Sequence, residues 1–125
     1  MKKLSKAQQA IIDEAKKDID YAREHDFIHW IAKGSGYALE EDWDNHPNPH
    51  LTNESVRKMA ESTVEWDKAR GGWYAKRYEE EKSGIVLTYC NSRTLKKLEE
   101  YGLIEIVYDS TGQLHGIDHV KLLNY

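Results

Sequence analysis

Residues 91–123 read NSRTLKKLEEYGLIEIVYDSTGQLHGIDHVKLL, and this stretch decides the fold because its period changes midway. Leu95 and Leu98 stand three apart, a helical spacing that puts both on one face, whereas Arg93, Lys96 and Lys97 fall largely on the other. A short helix of this kind buries its leucines and leaves its basic face in water. Gly102 stands where a left-handed residue ends a helix, and Leu103 beyond it is placed to touch Leu98, the apolar contact of a Schellman stop. The period then becomes two. Ile104, Ile106 and Tyr108 alternate, Asp109 and Gly112 take positions favoured in a type I turn, and Val120 and Leu122 resume the alternation. The pattern predicts a hairpin, with Gly116 bending or bulging its return strand.

Upstream, Ser5 followed by Gln8 has the form of a capping box, and Ile12, Ala15, Ile19 and Ala22 recur at helical spacing. One long helix is expected within residues 1–33, with Asp13 paired to Lys17 outside, a kink near Asp26 and a stop at Gly34-Ser35-Gly36. Residues 34–54, GSGYALEEDWDNHPNPHLTNE, hold both prolines and no Lys or Arg, and read as a loop. Residues 55–84 read as a helical hairpin: one helix capped by Asn53 and stopped by Gly71-Gly72, then a second from Trp73 to Ser83, stopped by Gly84. GIVLTYC, residues 84–90, is apolar and β-branched as a buried strand would be, and it opens the C-terminal part, 85–125. The expected fold is one mostly helical α+β domain of 125 residues, its N-terminal helices packed on a C-terminal strand, helix and hairpin.

The net charge of −4 is unevenly placed. Residues 34–54 alone carry five carboxylates and no basic side chain, so the rest of the chain is near neutral and has room for a local basic face. A single cysteine, Cys90, leaves no internal disulfide or multi-cysteine zinc site, suits a reducing cytoplasm, and reads as a small buried hydrophobe. The opening MKKLSKAQQAII is followed by Asp13, Glu14, Lys16 and Lys17, so neither an export segment nor a membrane span is expected. The sequon at Asn53 then reads as chance.

The core S-R-T-L-x-x-L-E-x-x-G-L-I at residues 92–104, with the hairpin after it, resembles the C-terminal half of a winged helix-turn-helix domain. Bacterial repressors of the multiple-antibiotic-resistance and arsenic-resistance types are built on that domain. The resemblance implies that Ser92–Tyr101 is a recognition helix and Leu103–Leu122 a wing. It implies that Ser92, Arg93, Lys96 and Lys97 face the major groove or its phosphates, while Leu95, Leu98, Leu103 and Ile104 are core. It covers little more than a quarter of the chain. Where the family has a supporting helix this chain has GIVLTYC, and the turn of the wing carries no Arg or Lys. The lysine-rich start, aromatic helical middle and GLIEIV…LLNY ending are also similar to small proteins of Gram-positive bacteriophages and prophages.

Other residues invite chemistry and have plainer readings. His25 and His29 are i, i+4, a ligand spacing, but the sequence is not H-E-x-x-H and no third ligand adjoins it, so ordinary surface histidines are expected and no metal. LEEDWDNH lacks the glycine and terminal glutamate of an EF-hand and reads as a solvated acidic loop. Trp30, Trp66 and Trp73 are expected in the core, and Trp43, among Glu41, Asp42 and Asp44, as an exposed anchor. No phosphate loop or nucleophile elbow is present, so neither catalysis nor a cofactor is expected.

Together these features point to a small cytoplasmic DNA-associated regulator of phage or mobile-element type in a bacterial host, a homodimer doubling its basic footprint. The alternative is a protein-binding inhibitor, anti-CRISPR-like, of a host defence nuclease or other nucleic-acid-binding protein. There Tyr37, Glu40, Glu41, Asp42, Trp43 and Asp44 would engage the partner's basic surface.

Overall fold

A computed structural model of the protein describes residues 3–36, 52–88, 92–108 and 118–125. Its elements run α1 Lys6–Glu24, α2 Phe27–Gly34, α3 Asn53–Ala69, α4 Trp73–Lys82, β1 Ile85–Thr88, α5 Ser92–Glu100, β2 Ile104–Tyr108 and β3 Asp118–Leu122. The fold is α+β and mostly helical. No helix among the described residues is long and apolar enough to cross a membrane. The chain forms two compact units, one from the residues up to Asp20 and from Glu80 onward, the other from Tyr21–Glu79.

In the first unit the capping box at the start of α1 forms: Gln8 N donates to Ser5 Oγ at 3.1 Å and Ser5 N donates to Gln8 Oε1 at 2.9 Å. Asp13 accepts from Gln9 Nε2 at 2.9 Å, in place of the expected pairing with Lys17. Ile12, Ala15 and Ile19 then pack with Val86, Leu95, Leu98, Ile104, Val120 and Leu122 in one core. The sheet is antiparallel in the order β1-β3-β2. Val86 and Ile106 both register against Val120, so three apolar residues cross the sheet in a row. A bulge between Ile106 and Tyr108 shifts the register of β2. Only residues 89–91 separate β1 from α5, so the element before α5 is a strand.

In the second unit, α2 and α3 share a core of Ile31, Ala32, Val56 and Ala60, with Phe27, Trp30, Val64 and Tyr74 packed against it. The single N-terminal helix expected from the sequence is two helices. Asp26 is extended, with φ −80° and ψ 175°, and its carboxylate accepts from His29 N, capping α2. An Asp that recaps the chain resembles a kink in the pattern because apolar spacing continues on both sides. The cap of α3 is Thr52, one residue before the expected Asn53: Thr52 and Ser55 exchange side-chain and backbone hydrogen bonds, and Asn53 is already helical. The turn at Asp109–Gly112, Gly116 and Cys90 lie outside the described residues.

Candidate nucleic-acid interface

Helix α5 separates its faces sharply. Leu95 and Leu98 are fully buried, while Arg93, Lys96 and Lys97 are exposed. At 100° per residue, Arg93, Lys96, Lys97 and Glu100 span one side of the helix and the two leucines the other. The four polar residues line an open depression of about 330 Å³. The Ser92 side chain lies outside the described residues.

Two devices fix the direction of this face. Gly102, at φ 75°, ends the helix: its N–H donates to Glu99 O at 2.9 Å, and Leu103 N donates to Leu98 O at 3.1 Å, the paired bonds of a Schellman stop. Leu103 packs against the core that holds Leu98. Glu99, beside the basic face, turns its carboxylate to the edge of the sheet and accepts from Ile106 N at 2.9 Å. That bond ties α5 to β2 and blocks one open donor of an edge strand.

Within the face an ion pair joins Lys97 Nζ to Glu100 Oε2 at 3.3 Å. Both side chains of the pair are more than half exposed, so the bond contributes a few tenths of a kcal/mol and yields readily to a phosphate.

The acidic set Tyr37, Glu40, Glu41, Asp42, Trp43 and Asp44 lies outside the described residues. The His25 and His29 rings each make a local hydrogen bond, one to the backbone and one to a side chain. His25 Nδ1 donates to Tyr21 O at 3.1 Å while its ring stacks on Tyr21, and His29 Nδ1 donates to Asp26 Oδ1 at 2.6 Å. The backbone N–H of His29, and then its ring, hold the Asp26 carboxyl below its ordinary value. Among the described residues no group of three His, Cys, Asp or Glu side chains gathers in a metal-ligand arrangement.

The tryptophans divide. Trp30 is half-buried and packs on the α2–α3 core, but Trp66 and Trp73 are 50% and 55% exposed, which corrects their expected core placement. Asp67 takes the buried place between them in sequence. At 2% exposure it accepts from Tyr74 N at 2.8 Å and Ala75 N at 3.1 Å, capping α4 from the end of α3. Arg77 is also buried. Apolarity alone assigned those places to indoles; the usable signal was an Asp six residues before a helix that follows two glycines. No protein-family model, curated protein or solved structure matches this chain.

Proposed function

We propose that the protein is a small non-catalytic DNA-associated regulator, of phage or mobile-element type, in which the basic face of α5 lies against duplex DNA and the β2–β3 hairpin serves as a wing. The observation that supports this reading is the fixed, outward basic face of a helix whose other side is buried at Leu95 and Leu98. Three cations on one helical face match the phosphates along a groove, and a helix of this width enters the major groove. A net charge of −4 opposes tight non-specific binding, so a second copy doubling the footprint favours a stable complex.

A second reading rests on the five carboxylates of residues 34–54: such a segment complements a basic nucleic-acid-binding surface on a host defence protein. One titration separates the two. Fluorescence anisotropy of a labelled duplex at low salt should show binding by the native chain and at least ten-fold weaker binding by Arg93→Ala/Lys96→Ala/Lys97→Ala. Glu40→Ala/Glu41→Ala/Asp42→Ala/Trp43→Ala should bind duplex as the native chain does. Absence of duplex binding by the native chain at low salt overturns the regulator reading.

A further inference from the structure

Unit Tyr21–Glu79 presents a second surface whose residues none of the above uses. On α3, Met59, Thr63 and Trp66 recur at i, i+4 and i+7 and so share one face, beside the buried stripe of Val56, Ala60 and Asp67, and Arg70 caps the helix just beyond them. Glu54, Glu61 and Glu65 fall on the far side of the same helix. The rings run on into α4: Trp66 and Tyr74 lie 6.4 Å apart between centroids, and Trp73 meets Tyr74 edge-on at 5.0 Å. Arg70 lays its guanidinium 4.3 Å over the Trp66 ring and donates to Trp66 O at 3.3 Å. Arg70 and Lys76 are exposed near the rings in sequence, whereas Lys68 falls on the glutamate side of α3 and reaches Glu65 at 3.3 Å.

We infer that this surface binds a single-stranded polynucleotide, its bases stacking on Trp66, Trp73 and the Arg70 plane and its phosphates meeting Arg70 and Lys76. Exposed indoles normally lose more by remaining in water than by packing inward. Here the buried cap of Asp67 holds both at the surface, on a junction set by Gly71 and Gly72 at φ 95° and 75°. Rings at fixed spacing, flanked by Arg70 and Lys76 and with the glutamates of α3 on the far side of that helix, suit a ligand that offers a π-face and a negative charge at each unit. A duplex hides its base faces and does not fit. This inference stands independently of the α5 reading.

The test is fluorescence anisotropy of end-labelled fifteen-nucleotide oligothymidylate and oligouridylate at low salt. Binding is expected with either strand, weakened about ten-fold or more in Trp66→Ala/Trp73→Ala and largely restored in Trp66→Phe/Trp73→Phe, which keep a stacking ring. Arg70→Ala should lower the salt slope by about 0.7, one released counterion on a single strand. The α5 triple variant should retain single-strand binding, so failure of the duplex reading leaves this result intact. No binding by the native chain, equal affinity in the double-alanine variant with its fold intact by circular dichroism, or equal binding of poly-glutamate in competition would each overturn the inference.

Discussion

Helix α5 and the junction of α3 with α4 are both rich in long charged and large apolar side chains, yet they place them in opposite ways. In α5 the leucines go in and the cations go out. At the junction Asp67 and Arg77 go in, and Trp66 and Trp73 stay out. The difference lies in the backbone. The stop of α5 satisfies its own carbonyls through Gly102, so only side-chain transfer decides facing. The start of α4 has open N–H groups at Tyr74 and Ala75, and leaving those unmet costs more than exposing an indole.

The largest effect that tests this contrast is in α5. Leu98→Ala should lower stability by about 2–5 kcal/mol, the range for a fully buried large-to-small change, while Lys97→Ala should stay within about 0.5 kcal/mol. Urea unfolding of the two variants checks it, and equal tolerance would show that the faces of α5 are misassigned.

This also marks how far the sequence is readable. Ile12, Ala15, Ile19, Leu95, Leu98 and Val120 were legible as core because each repeats at the period of its element and no polar group competes for the place. The stop at Gly102 was legible because a Schellman motif is local in sequence. The break at Asp26 and the cap at Thr52 were blurred by a residue or two, since an Asp or Thr signals a start without saying which N–H groups it will meet. The placement of Trp66 and Trp73 was not legible, because it depends on a carboxylate reaching across the turn at 70–72 to a backbone N–H seven residues on. Of the proposed site, the facing of Arg93, Lys96 and Lys97 was readable, because the leucines at Leu95 and Leu98 fix which side of α5 is buried.

At the junction, Asp67→Ala should cost about 1–3 kcal/mol by orphaning two backbone donors, and Trp66→Ala should cost less despite removing a far larger side chain. Thermal unfolding of both variants orders them. A larger loss from Trp66→Ala would mean that the indole, rather than the cap, holds the junction.

Glycines sharpen the comparison at a smaller scale. Gly102→Ala has open space around it but must hold φ 75°, so it should cost about 1–2 kcal/mol; Gly34→Ala, also in open space and at ordinary φ, should be neutral or slightly stabilising. Chemical denaturation of the pair separates backbone conformation from packing.

The smallest effect concerns the α2 cap. The folded carboxyl of Asp26 titrates below its ordinary value of 3.8, so its contribution is present above that value and is lost as pH falls through the folded pKa. Asp26→Asn keeps an acceptor for the cap but cannot titrate. Its stability should therefore fall less steeply than that of the native chain below about pH 4, by a small amount because the side chain is largely solvated. Parallel acid limbs for the two proteins would assign the acid dependence to other carboxylates.

The proposal that the exposed face of α5 meets DNA is tested most directly by the salt dependence of duplex affinity. Plotted as log affinity against log salt, the native chain should show a negative slope, and the triple variant Arg93→Ala/Lys96→Ala/Lys97→Ala a slope shallower by roughly 2–3, the counterions released by three phosphate contacts. An unchanged slope, with binding by the native chain intact, would place the contact elsewhere and contradict the account.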